Sequence, residues 1–394
     1  MTIPTHGRKT GDADMRHRIF ILALVYLLAS CSNAVSTIDE SAVTANTSVT
    51  SKPTISVATK SPTALAEQTT TPTPTQAPSP TSSPVLTQLT HGGCCVQPFW
   101  SPDGEQVLYI DRPALDLPSG IWGITMPGSE AKFITDRVGL YSDDMRLRAF
   151  LQNGQTKVED IQSGEQWTIP SEGRAVSFSH DGEWLAWTAG QAGPPFDSAQ
   201  RDVWVSRING SEARKLISVI GGGFAGWFPD GKLLVSDRLT LKGSGQAFWI
   251  VASQDAQPQK LLEIPADGRI RGLEISPNGR WLAYMHSISS DESQNGLWIV
   301  NTETGDRQRV DTFGAYQWRD GERLLVIPLD LEETAHRLQQ IEASSGEITA
   351  ITDPSVTPFR VANGDWHVSP NGARIAFVSA VDQNIWVLDL PIWR

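Results

Sequence analysis

Few residues in this 394-residue chain have the type and spacing that chemistry requires. Cys94 and Cys95 are adjacent. Consecutive Cα atoms lie about 3.8 Å apart across a trans peptide, below the roughly 4.4–6.8 Å of ordinary disulfides, so a bridge here would be strained and easily reduced. Three states stay open for the pair: two small thiols beside a strand, a vicinal disulfide, or a soft-metal or redox site. The third cysteine, Cys31, follows Leu28-Ala29-Ser30. Arg137, Arg174, Arg269, Arg271 and Arg360 form a candidate anion-attracting set in a chain of net charge -12. The competing reading is solvated loop charge, because Asp136, Glu172, Asp267 and Glu274 stand nearby. The histidines at 6, 17, 91, 180, 286, 336 and 367 show no ligand spacing, and His180 reads as a solvated turn residue. Neither a Gly-x-Ser-x-Gly elbow nor a His-Glu-x-x-His pair occurs. The sequence therefore nominates no catalytic, metal-binding or cofactor-binding residue, and no cofactor.

The elements that must position these residues lie in one part of the chain. All 14 Trp fall between Trp100 and Trp393, and no aromatic residue occurs between Tyr26 and Phe99. The N-terminal quarter thus lacks the material of an ordinary core. Beyond residue 30 the chain carries 28 basic against 42 acidic residues, a balance that excludes a general nucleic-acid binder. Arg16-His17-Arg18, an apolar run from Ile19 to Ala29 and small residues at its end have the layout of an export signal. Eleven apolar residues fall short of the roughly 20 that span a bilayer. Between Ser61 and Pro84, 17 of 24 residues are Ser, Thr or Pro, which rejects helix and ladder alike and predicts an extended, solvated tether.

From residue 86 onward one pattern recurs. Trp100-Ser101-Pro102-Asp103-Gly104 returns as Phe178-Ser179-His180-Asp181-Gly182, Trp227-Phe228-Pro229-Asp230-Gly231 and Ile275-Ser276-Pro277-Asn278-Gly279. Shorter or altered copies are Trp318-Arg319-Asp320-Gly321, Val368-Ser369-Pro370-Asn371-Gly372 and the glycine-less Tyr141-Ser142-Asp143-Asp144. Their anchors are 37 to 51 residues apart, the period of a four-stranded propeller blade. Asp-Gly and Asn-Gly close tight hairpins because they tolerate positive φ. An apolar strand follows each turn, as in Trp281-Leu282-Ala283-Tyr284, and a third strand usually carries Trp, as in Leu297-Trp298-Ile299. The seventh copy stops after three strands. Leu86-Thr87-Gln88-Leu89-Thr90 matches a fourth strand and predicts a ring closed by joining the two ends, which removes two sheet edges.

The Trp-Ser-Pro-Asp-Gly turn with its following apolar strand resembles the TolB-type, or WD-like, propeller repeat over residues 86–394. That resemblance implies an all-β, seven-bladed β-propeller, with six blades as the alternative if the second copy is reassigned. TolB itself has six blades and an extra domain, so no role in the Tol system is implied. Leu28–Cys31 resembles the bacterial lipoprotein box, which implies cleavage before Cys31 and a lipid on its thiol. The expected organisation is a signal peptide over 1–30, a disordered linker over 31–85 and a propeller over 86–394. The expected address is the cell membrane or outer membrane, facing the periplasm or the exterior. The expected function is a non-enzymatic binding or scaffolding module for a protein, small molecule or glycan, with the membrane as partner through the anchor. The alternative is a lyase or hydrolase with its site at the channel mouth. Alternate connections of an up-and-down blade emerge on opposite faces, so Arg174, Arg269, Arg271, Arg360 and the long loops should share one mouth, opposite the Asp-Gly turns.

Overall fold

The turn of each repeat closes through its own side chains. Ser101 Oγ donates to Asp103 Oδ1 at 2.6 Å, and that oxygen accepts the Glu105 amide at 3.0 Å. Ser101 Oγ also accepts the Gln106 amide at 2.9 Å, and Gly104 takes φ 72°. Ser179–Asp181, Ser276–Asn278 and Ser369–Asn371 repeat the geometry. So does Ser142–Asp144 at 2.6 Å, where Met145 adopts φ 57° in the place of the missing glycine. The side-chain network thus holds a left-handed residue that costs a non-glycine roughly 1–2 kcal/mol.

The computed structural model describes residues 83–93, 96–126, 128–190, 199–239, 245–252, 257–265, 267–330 and 332–391. All lie in the second of two units, Thr75–Arg394. Among the described residues are seven four-stranded antiparallel sheets, arranged as the blades of a propeller. In chain order their innermost strands are Val96–Trp100, Leu140–Tyr141, Ser177–Phe178, Gly223–Trp227, Arg269–Ile275, Gly314–Trp318 and Val361–Val368. The second repeat forms its own sheet, Leu140–Tyr141 through Gln166–Ile169, so the six-bladed alternative falls. The seventh blade is completed by Val85–Gln88, antiparallel to Ile385–Asp389 with Leu86 opposite Leu388.

Each second strand lies between two neighbouring blades and is apolar on both sides, not alternating. Leu233, Leu234 and Val235 are fully buried, as is most of Trp281–Ser287. Buried apolar clusters fill six of the seven seams; the one between the fifth and sixth blades joins Met285 and Ile299 to Tyr316, Trp318 and Val326. Trp at the end of an inner strand reaches across a seam: Trp100, Trp227 and Trp318 donate to the carbonyls of His367, Ser177 and Glu274.

Two repeats depart from the pattern. Between the first and second blades no such cluster occurs among the described residues. There Glu159, its side chain 5 % exposed, lies 2.9 Å from both Arg137 Nη1 and Arg148 Nη2. In the sixth repeat the turn is one residue shorter, and Arg319 alone stands where the others have two residues, Ser-Pro in three of them. Its buried guanidinium donates to the carbonyls of Gly372 and Pro391 and to Gln340 Oε1, at 3.0, 2.9 and 2.7 Å. Burial pushes its pKa down to about 10, which leaves it charged at neutral pH. Arg319 therefore ties the sixth blade to both ends of the closing blade's last hairpin.

Candidate functional site

The inner strands of the fifth and seventh blades are bulged where they approach the mouth. Register shifts between Arg271 and Glu274 and between Val361 and Trp366. Gly272 (φ 65°), Asn363 (φ 53°) and Gly364 (φ 74°) supply the left-handed residues the bulges need. At Gly272 a Cβ would come within 2.5 Å of the Tyr316 hydroxyl, which donates to the Gly272 carbonyl. Glycine is required there so that the sixth blade can dock. The two bulges open a pocket of about 410 Å³ across the fifth, sixth and seventh blades. Its walls include Arg271, Phe313, Tyr316, Leu329, His336 and Trp366.

The polar groups in this pocket have defined states. His336 Nδ1 accepts the Val361 amide at 3.2 Å, so the ring proton resides on Nε2. Burial, then the positive charge of Arg360, hold its pKa below the usual imidazole value. Its ring meets Phe359 edge-on at 5.9 Å. His336 is therefore a neutral donor. Arg271 is exposed and has no ion-pair partner among the described residues; the same holds for Arg269 and Arg360. Arg269 and Arg271 lie two residues apart, on the side of their strand opposite Ile270, which packs toward the fourth blade.

The candidate arginines therefore separate. Arg271 lines the pocket, Arg360 influences His336 from the connection beside it, and Arg269 lies on the same strand as Arg271. Arg174 belongs to the scaffold. Its Nη2 donates to the Gly190 carbonyl at 2.7 Å, its buried Nε has no partner, and its own carbonyl accepts Thr156 Oγ1 at 2.6 Å. Arg137 is taken up by Glu159. Cys31, Cys94 and Cys95 lie outside the described residues. His180 is no mere solvated turn residue: Nδ1 lies 2.7 Å from Asp143 Oδ2 and Nε2 lies 3.2 Å from the Trp227 carbonyl, bridging three blades on the Asp-Gly side.

Glu274, Gln317 and His367 were not singled out from the sequence as site residues. Each immediately precedes the last inner-strand residue of its blade, at equivalent levels of the ring. The signal that finds them is to superpose the repeats on their turns: this position reads Phe99, Leu140, Ser177, Gly226, Glu274, Gln317 and His367 around the channel. The three polar, hydrogen-bonding side chains of greatest reach occupy the three blades that form the pocket. Burial pushes Glu274 up to about 8, so it is largely protonated at neutral pH and leaves the charge of Arg271 uncompensated. Burial holds His367 below the usual value, with Asp365 opposing. Tyr316, facing Glu274, is raised by burial and then by that carboxyl.

No family model and no curated protein matches this chain. Solved structures do. An oligogalacturonate lyase from Vibrio parahaemolyticus aligns with a TM-score of 0.52 at 15 % identity, over 77 % of this chain and 93 % of that one. An oligogalacturonate lyase in complex with manganese aligns at 0.52 and 14 % identity, over 78 % and 91 %. A putative TolB from Agrobacterium tumefaciens aligns at 0.34 and 16 % identity, over 68 % and 87 %. At these identities the likeness is one of fold. It corrects the expectation that the chain is not an enzyme. That expectation rested on missing contiguous motifs, whereas propellers of this shape include lyases, and a site assembled from several blades leaves no contiguous motif.

Proposed function

We propose that the pocket at the mouth of the fifth to seventh blades binds an anionic small molecule or glycan on a propeller held at a membrane surface. The observation that carries this is the convergence of Arg271, without an ion-pair partner among the described residues, and the neutral donor His336 on one largely apolar pocket. Apolar walls raise the value of a charge-assisted hydrogen bond, and a few convergent polar groups fix orientation. The two lyases of similar fold act, by name, on oligogalacturonate, which belongs to this anionic class. Titrating the full chain with digalacturonate, with its carboxyl-reduced neutral counterpart as control, tests the reading. The acidic sugar should bind and the neutral one should not. Arg271→Ala should weaken binding about tenfold or more and flatten its salt dependence. Equal binding of both sugars, or an indifferent Arg271→Ala, ends the reading.

A second reading, an enzyme acting on that ligand at the same mouth, is favoured by one observation: Glu274, raised to about 8, and a neutral His367 stand on the two blades that flank Gln317. Groups whose environments hold an acid protonated and a base neutral suit proton transfer. Loss of turnover in Glu274→Gln with binding retained would favour it, once a converted substrate is in hand.

The membrane address belongs to the same proposal. Cys31 is read as the lipidated residue and residues 31–85 as the spacer. A fatty-acid probe should label the wild type and miss Cys31→Ala.

A further inference from the structure

The seven repeats give the channel seven equivalent positions just before the turns. Four of them carry Phe99, Leu140, Ser177 and Gly226. The other three, Glu274, Gln317 and His367, are consecutive around the ring and belong to the blades that build the mouth pocket. Their register is fixed by the scaffold. Trp318 Nε1 holds the Glu274 carbonyl and Trp100 Nε1 holds that of His367, both at 3.0 Å. Gln317 Nε2 donates to the Trp366 carbonyl at 2.5 Å and its Oε1 accepts the Val368 amide at 3.1 Å, which locks the amide while leaving one N–H free. Neither the Glu274 nor the His367 side chain has a hydrogen-bond or ion-pair partner among the described residues, and His367 is exposed.

We propose that Glu274, Gln317 and His367 form a second subsite, below the mouth pocket, that takes the uncharged, hydroxyl-bearing part of the same anionic ligand. This rests on the mouth-site reading. The three groups offer donors and acceptors without net charge at neutral pH, which suits hydroxyls. The group facing Glu274 is Tyr316 from the sixth blade, which stays protonated, and Arg271 lies three residues away on the same strand. His367, one blade beyond Gln317, is neutral at and above neutral pH. Glu274 is then the group that titrates on the alkaline side. As pH rises through about 8 it loses its proton, ceases to donate and repels an anion.

The probes are glucarate and adipate, dicarboxylates of equal chain length and charge that differ in hydroxyls, titrated calorimetrically into the full chain. Glucarate should bind about tenfold tighter near neutral pH, the worth of one or two well-placed hydrogen bonds. Its affinity should fall across the window around pH 8, while Glu274→Gln keeps the preference and removes that fall. Glu274→Leu and His367→Leu should collapse the ratio between the probes, and Arg271→Ala should weaken both. Equal binding of the two probes by the wild type overturns the subsite and leaves the mouth site standing. An Arg271→Ala variant that binds both as the wild type does overturns the mouth site. If neither probe binds, both readings are overturned together.

Discussion

The arc of the first and second blades and the arc of the fifth to seventh blades both depart from the repeat, and they do so in opposite ways. At the first arc the departure is polar and turned inward: Glu159 pairs with Arg137 and Arg148, and Gln166 Nε2 adds a contact at 3.3 Å, while Glu159 Oε2 and Arg148 Nε are buried without a hydrogen-bond partner among the described residues. At the second the departure is polar and open: Arg271 and His336 line a pocket, and the Glu274 and His367 side chains have no hydrogen-bond or ion-pair partner among the described residues. A charge paired inside the fold bridges a seam, whereas one left facing solvent within a concave wall can be paired by a ligand. Between the first two blades, where no buried apolar cluster occurs among the described residues, charge pairing stands beside partly exposed apolar side chains such as Phe99 and Tyr141.

The largest expected effect breaks the closed arc. Glu159→Ala leaves two guanidinium groups, one of them largely buried, without their carboxylate. Such a loss costs about 3 kcal/mol, and thermal unfolding should begin several degrees lower. The comparison fails if Glu159→Ala is as stable as the wild type. Next in size is the contrast within the open arc. Arg271→Ala should leave stability within about 0.5 kcal/mol of the wild type, because no internal partner loses its bond. A drop comparable with that of Glu159→Ala would make Arg271 a scaffold residue. Smaller again is Met145→Gly in the second repeat. It removes a left-handed non-glycine but also frees the unfolded chain, so a net gain of about 0.5–1 kcal/mol is expected by chemical denaturation. No gain would mean that the Ser142–Asp144 network has relieved the strain.

How much of this was legible follows from what each feature depends on. The turns were legible because Ser, Asp and Gly satisfy one another within six residues, and that survives even where Met145 replaces glycine. Ring closure was legible because a seventh copy with three strands leaves an edge that Val85–Gln88 fills. The third strands Gln155–Asp160 and Gln339–Glu342 were harder to read, since neither carries the Trp that marks the others. The mouth site was only partly legible. Arg271 was singled out for its charge, but Glu274 read as a neighbour that would cancel it. The bulge at Gly272 and the burial that keeps Glu274 protonated depend on cross-strand register and on the packing of Tyr316, which lies 42 residues away in sequence. Arg174 shows the converse: its sequence context matched the others, and its contacts with Gly190 and Thr156 and its buried Nε distinguish it.

The smallest effect concerns His180, which carries the closed-arc logic onto the Asp-Gly face. It replaces the turn proline, and both ring nitrogens face acceptors, Asp143 Oδ2 and the Trp227 carbonyl. Two acceptors can be served only by the imidazolium, and the hydrogen bond it donates to Asp143 foremost raises its pKa above 6.5. The folded state therefore binds this proton more tightly than the unfolded chain does. The resulting stability is fully present below the unfolded value near 6.5 and is lost as pH rises through the higher folded value. With about half of the His180 side chain and two thirds of the Asp143 side chain exposed, solvent screening limits the effect to less than about 1 kcal/mol. Melting curves of the wild type and His180→Gln between about pH 5.5 and 8.5 should converge as pH rises, because glutamine keeps a donor but carries no charge. A gap that stays constant across that range would show that His180 bridges the blades as a neutral ring, and the charged staple would be wrong.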